Sequence, residues 1–264
     1  YNNIGNIFHD LGKVPESLHA YKKAISLNPK YADAYYNMGV VLKDKGKYEQ
    51  AVVSYNKSLL FRPNHADTYY NLGNALQDQG KLEEAINAYK KSISLKPDNT
   101  EAHLNLGFAL LNSGRLKEGL NEHEWRWKTK KLSLRKRNFL QPCWDGKKRL
   151  NGKKILIWCE QGIGDTINWS SCLPYISSKV EHCIFECQDK LVPLFKRSFQ
   201  NIEVKSQDRS QDAERKDFDF HLPMGSLYKC FIKEISSNKK ISSYLLPDPN
   251  RVNFWKKRLN SLGN

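Results

Sequence analysis

Two patterns of apolar and polar positions divide the chain. Through the first half, glycine, aromatic and small positions return every 34 residues. Gly5, Gly39, Gly73 and Gly107 form one column, and Gly12, Gly46, Gly80 and Gly114 a second. Pro29, Pro63 and Pro97 form a third. Tyr21, Tyr55 and Tyr89, with His123 in the fourth copy, make an aromatic column, and Ser17, Ala51, Ala85 and Gly119 a small one. Tyr1, Tyr35, Tyr69 and His103 open the copies. Such a period predicts stacked helical hairpins, because one hairpin cannot bury its own apolar face and needs a neighbour to cover it. Gly39 and Ala51 are small where the two helices of a hairpin touch. Gly46 ends the first helix and allows the turn, and Pro63 ends the second. Tyr55 and Leu59 fill the layer between hairpins. The fourth copy decays at Glu124-Trp125-Arg126-Trp127, which either covers the last hairpin and docks it on the next segment of chain or is an ordinary capping helix.

From Gly152 the pattern changes. Lys154 to Cys159 is an apolar run of strand length, followed by Glu160-Gln161-Gly162-Ile163-Gly164-Asp165. A helix is predicted over Thr166 to Ile176, with Pro174 near its end. Strand, Gly-rich turn and helix open a Rossmann-like unit. Further strands are predicted at 181–187, 201–205 and 217–221, and helices at 189–199, 224–235 and 249–262. Dinucleotide binding at Gly162-x-Gly164 is disfavoured. The third glycine is absent, and Asp165 puts a carboxylate where pyrophosphate would dock. Asp165 reads as a helix cap, as a general base at the C-terminal edge of the sheet, or as both.

A polar ladder runs through the repeats. Asn3, Asn37, Asn71 and Asn105 share one helical position, and Asp10, Asp44, Asp78 and Asn112 follow seven residues on, on the same helix face. Asn carries a donor and an acceptor, so such a row can clamp an extended peptide backbone; alternatively it bonds neighbouring helices.

The columns resemble the tetratricopeptide repeat in order and spacing. Tyr69 to Ile86 closely resembles the repeats of O-linked N-acetylglucosamine transferase, and of bacterial proteins that join such repeats to a glycosyltransferase-like domain. That resemblance implies that Asn3, Asn37, Asn71 and Asn105, with Asp44 and Asp78, line a peptide-binding groove. Trp144-Asp145-Gly146, Lys153 to Cys159 and Glu160 to Ile167 look like the start of the glycosyltransferase-like domain. That domain is similar to the N-terminal half of heptosyltransferases with the GT-B fold. Asp219 to Leu227 and Tyr244-Leu245-Leu246 match later landmarks. The resemblance implies Asp165 as the base on an acceptor hydroxyl, with Glu160, Gln161, Gly162, Gly164 and Thr166 as substrate contacts. Ser171-Cys172 stand where an Arg-Tyr pair is usual.

Net charge is +15. Arg126 to Lys154 holds twelve Lys or Arg and one acid, Asp145. That stretch reads as a solvated basic connector or as a contact for an acidic glycan or anionic surface. Nucleic acid is disfavoured, because aromatic and basic residues are not interleaved as in a single-strand groove. All six cysteines follow residue 142, none in a CxxC pair. Buried reduced thiols, no metal site and a cytoplasmic location fit them. No apolar run reaches membrane-spanning length.

The expected architecture is an α-helical tetratricopeptide solenoid over 1–128, a basic linker over 129–152 and a Rossmann-like GT-B N-terminal half over 153–264. The chain reads as cut at both ends. The leading functional expectation is a piece of a repeat-containing glycosyltransferase, inactive alone, with no cofactor of its own and its nucleotide-sugar donor held by a further half. The alternative is a non-catalytic protein-interaction scaffold.

Overall fold

The computed structural model describes residues 1–210, 212–237 and 243–262. The chain forms two compact units, Tyr1–Thr129 and Lys130–Asn264.

The first unit is four helical hairpins. The first helix of each hairpin, here the A helix, is α1 (Asn2–Asp10), α3 (Ala32–Asp44), α5 (Ala66–Asp78) and α7 (Thr100–Asn112). The second, or B helix, is α2 (Val14–Leu27), α4 (Tyr48–Phe61), α6 (Leu82–Leu95) and α8 (Leu116–His123). The glycine columns have two separate causes. Gly12, Gly46, Gly80 and Gly114 sit at φ between +69° and +80°, the left-handed turn that ends each A helix. A Cβ at Gly5, Gly39 or Gly73 would lie 2.4–2.6 Å from the ring of Tyr21, Tyr55 or Tyr89. The tyrosine column thus occupies the space the glycine column leaves. Tyr55, Leu59, Leu72, Leu76, Ile86 and Tyr89 share one buried layer running between hairpins.

After α8 the chain tightens into a 3-10 turn, Glu124–Lys128. Trp125 stacks on His103 of α7 with ring centroids 3.6 Å apart, and Arg126 is buried with its guanidinium donating to Glu124 at 2.6 Å. The two-tryptophan segment therefore covers the last hairpin, as a 3-10 turn rather than a continued helix.

The second unit holds a four-stranded parallel sheet, β1 (Lys154–Trp158), β2 (His182–Cys187), β3 (Glu203–Ser206) and β4 (Phe220–Pro223), in the order β3-β2-β1-β4. Register pairs Ile155 with Cys183 and Phe220, and Phe185 with Val204. Short α9 (Lys130–Ser133) precedes the sheet. The other helices are α10 (Ile163–Trp169), α11 (Leu173–Ser177), α12 (Val192–Ser198), α13 (Met224–Ser237) and α14 (Pro249–Leu262). Ile155, Ile157, Cys183, Phe185 and Cys187 point to one face, where Leu173, Phe195 and Phe231 cover them from α11, α12 and α13. The expected helix over 166–176 is broken at Ser170–Cys172. Pro174 lies in the first turn of α11, at the start of a helix rather than near the end of one, where no N–H is needed from it.

Beyond the small parallel sheet, the Rossmann-like expectation meets a difference. A doubly wound sheet carries helices on both faces, but here the second face is covered by extended chain. Phe139 packs on His221, Phe218 and Trp158 with centroids 4.8, 5.2 and 6.4 Å away. Arg137 is buried, and it ion-pairs with Glu186 of β2 and with Asp212. On the helix-covered side Trp144 packs on Phe231 of α13 with centroids 6.0 Å apart and Leu150 is buried in the same cluster, while Cys143 bridges to His221. Within the basic stretch 129–152 most residues are exposed, as expected of a connector, but Arg137, Trp144 and Leu150 are buried in the second unit. A lone glutamate in an apolar strand needs a buried cation, and Arg137 supplies it.

Cys159, Cys172, Cys183 and Cys187 are buried free thiols, and burial pushes the last three up to about 12. Among the described residues no helix is long and apolar enough to cross a membrane, and no cluster of metal-ligating side chains occurs.

Candidate functional site

The sequence-derived site residues fall into two places, one in each unit. The first is the row of A helices. Asn37 donates through Nδ2 to Asn2 Oδ1 at 3.1 Å, and Asn71 to the Tyr36 hydroxyl at 3.0 Å. Asn105 donates to the Tyr70 hydroxyl at 3.3 Å and to Asn74 Oδ1 at 2.8 Å. Asn71 also reaches its own helix at Asp67 O, 3.1 Å. Each of these three asparagines therefore ties its A helix to the preceding one. Their side-chain carbonyls accept no hydrogen bond among the described residues. Asn3 is exposed on the first A helix. Asp44 and Asp78 are exposed as well; Asp44 meets His9 at 3.4 Å and Lys43 at 3.7 Å.

The ladder is thus neither of the two sequence readings in pure form. Its donors bond neighbouring helices, and its acceptors remain open. Elements that stay closest together in a curved stack lie on its inner side. Successive A helices touch directly, so they form the inner wall. The tyrosines that receive these bonds were missed from sequence. Tyr36 and Tyr70 stand one residue before Asn37 and Asn71, and that pairing, displaced by one copy, was the available signal.

The second place is the turn after β1. Asp165 is exposed, three residues into α10, whose N-terminal cap is Gly162. Its carboxylate accepts the Gly162 N–H at 3.2 Å, the reach-back half of a capping box. Thr166 is buried and donates to Gly162 O at 2.9 Å. Gly162 has extended backbone, and a Cβ at Gly164 would meet nothing within 4 Å. Glu160 differs from expectation. It is 2% exposed, and its carboxylate accepts the Gly225 N–H at 3.1 Å, in the first turn of α13. That arrangement satisfies a helix terminus rather than facing solvent. Gln161 is half-buried, and its carbonyl accepts from Gln188 Nε2 at 2.9 Å.

A stack of hairpins with a 34-residue period, left-handed glycine turns and an A-helix inner wall defines a tetratricopeptide solenoid. In agreement, residues 5–46, 41–80 and 73–114 match the family model described as TPR repeat. Protein FlbA of Caulobacter vibrioides is 29% identical over 136 residues, which is 46% of this chain. The match spans 22% of FlbA's own length. The chain is also similar to the crystal structure of MamA, at 26% identity, covering 48% of this chain and 74% of that one, with a TM-score of 0.47. YrrB, described as a TPR protein with an unusual peptide-binding site, is 28% identical, covering 49% of this chain and 67% of that one, with a TM-score of 0.47.

Proposed function

We propose that the chain is a protein-interaction scaffold whose repeat array holds an extended polypeptide along its A-helix wall. The observation that carries this is the set of open carbonyls of Asn37, Asn71 and Asn105, repeated at one helical position on hydrogen-bonded helices. Acceptors fixed at a regular rise pair with backbone N–H groups whatever the peptide's side chains. The test starts from an unstructured peptide selected for tight binding to the purified chain. Asn37→Ala, Asn71→Ala and Asn105→Ala together remove three bonds worth about 0.5–1.5 kcal/mol each, so affinity falls about 10-fold or more. Tyr36→Phe with Tyr70→Phe removes the tyrosine acceptors of Asn71 and Asn105 and leaves the asparagine carbonyls in place; it lowers the melting temperature and keeps affinity. Unchanged affinity in the triple Ala variant sinks this reading.

A second reading concerns the second unit: the acceptor side of a sugar transferase, with Asp165 as base. The strand order β3-β2-β1-β4, with an exposed carboxylate on the turn after β1, supports it. Asp165 would take the acceptor hydroxyl proton as that oxygen bonds the sugar's anomeric carbon and the nucleoside diphosphate leaves. Asp165→Asn keeps an acceptor for the Gly162 N–H, while Asp165→Ala loses that hydrogen bond at a cost of about 0.5–1.5 kcal/mol. In a sugar-transfer assay, Asp165→Asn lowers the initial rate about 10²–10⁴-fold with an unchanged melt. Full activity in Asp165→Asn, with stability lost only in Asp165→Ala, leaves a helix cap and no base.

A further inference from the structure

The strongly basic stretch does not spread its charge evenly once folded. Arg126 bonds Glu124, Arg135 donates to Glu160 O at 2.8 Å, and Arg137 is buried against Glu186 and Asp212. Lys153 meets Asp219 at 3.5 Å. Lys147, Lys148 and Arg149 form no salt bridge among the described residues, although the Asp145 carboxylate feels the Lys148 charge. They occupy three consecutive positions of one turn and are exposed. With Lys179 they line a cavity of about 410 Å³ whose buried wall is Trp144, Leu150 and Phe231.

The turn is built to hold its shape. Asp145 Oδ1 accepts the Lys147 and Lys148 N–H groups at 2.9 and 3.0 Å. Trp144 Nε1 donates to Lys148 O at 2.9 Å, closing the loop from inside. Trp144 and Leu150 are buried at either end, so both ends are anchored. Gly146 takes φ +76°, and a Cβ there would lie 3.0 Å from Cys230 Sγ. Two acids are near. Asp145 is occupied by the turn's own amides, and Glu234 accepts from Lys179 at 3.3 Å. Cations held close on a stiff turn repel one another, and an anion relieves that repulsion without first having to order the loop. Leu150 and Lys179, which line the cavity, lie a few residues before β1 and β2, so the cavity lies at the N-terminal edge of the sheet, away from Asp165.

We infer that this cavity is a binding site for a compact phosphate-bearing small molecule, held by Lys147, Lys148, Arg149 and Lys179. The inference does not depend on the peptide groove or on sugar transfer. The volume admits a diphosphate with a small attached group. Arg149 offers a planar fork for two phosphate oxygens, and the lysines offer point charges.

The test is calorimetric titration of the whole chain with inorganic pyrophosphate, with inorganic phosphate and sulfate as the smaller anions. Saturable one-site binding of pyrophosphate is expected, weaker for the other two and falling steeply with added salt. Lys147→Ala with Arg149→Ala weakens pyrophosphate at least about 10-fold, by loss of two charge-assisted contacts. Lys256→Ala with Lys257→Ala on α14 removes the same net charge elsewhere and leaves affinity unchanged. Gly146→Val removes no charge but strains the left-handed turn, so it weakens binding in a protein whose circular dichroism is unaltered. Equal losses in the two double-Ala variants would reduce the effect to overall charge and overturn the site, as would non-saturable binding to the unmodified chain.

Discussion

The tyrosine column shows how much one residue's surroundings matter. The Tyr21 hydroxyl donates to Asn6 Oδ1 at 2.7 Å, and Tyr89 donates to Asn74 Oδ1 at 2.8 Å. In the second copy Val40 takes the asparagine's place, and the buried Tyr55 hydroxyl has no partner among the described residues. Burial raises its pKa above the usual phenol value. Tyr55→Phe is therefore expected to be neutral or stabilising, while Tyr21→Phe and Tyr89→Phe each cost about 0.5–1.5 kcal/mol. Val40→Asn should raise stability by restoring the bond. Denaturant melts of the four variants check this, and a loss in Tyr55→Phe equal to that in Tyr89→Phe would contradict it. His221 gives a pH-dependent case. The Trp158 indole donates to its Nδ1 at 3.2 Å, which requires an unprotonated nitrogen. Burial first, and the Arg137 charge second, push its pKa down from 6.5 to about 4. Between those values the unfolded chain takes up a proton that the folded chain refuses. The stabilisation is complete above about pH 6.5 and is lost as pH falls towards 4. Urea midpoints at pH 7 and pH 5 should therefore lie closer together in His221→Gln than in the unmodified chain.

At the scale of elements, the segment joining the repeats to β1 is the main departure from the sequence reading. Its lysines and arginines look alike in a charge count, but they separate by partner. Arg137 enters the core because Glu186 lies between Ile184 and Cys187 on a buried strand. Arg215 bonds the same Glu186 carboxylate, and it holds Asp217 at 2.8 Å. Arg137→Ala should cost about 3–5 kcal/mol, chiefly by stranding the buried Asp212 carboxylate, since Glu186 keeps Arg215, while Arg137→Met with Asp212→Leu should recover most of that loss. Thermal melts of single and double variants decide it, and an additive double variant would mean the two residues act separately. Glu186 was the legible signal for this network. The composition of 126–154 pointed the other way, because a run of like charge ordinarily stays in water.

Across the whole molecule, legibility follows the reach of the forces involved. Every hairpin of the first unit could be read, since each copy repeats the same local packing and Gly39 meets Tyr55 only sixteen positions away. The strands of the second unit were also visible, because their apolar runs are local. The cover of the second sheet face was not, since Arg137 meets Asp212 across 75 residues and no spacing rule links them. The thiols offer a check on the unit as a whole. Cys143 is exposed and Cys230 half-buried, while the other four are buried. A thiol reagent should modify Cys143 first and reach the four buried thiols only on unfolding; early modification of Cys183 would contradict a core closed over the sheet.

The asparagine rungs carry a mechanical consequence. They fasten each A helix to the next, whereas no hydrogen bond links α2, α4 and α6 to one another among the described residues. On that outer side an exposed ion pair, Glu83 with Arg115 at 3.7 Å, is a weak tie. A beam stitched along one edge flexes about that edge. Thermal bending of the array therefore opens and closes the spacing of its B helices while the pitch of the A-helix wall stays nearly constant. The array behaves as a ruler with a hinged back, whose marks keep the same interval however the ruler bends.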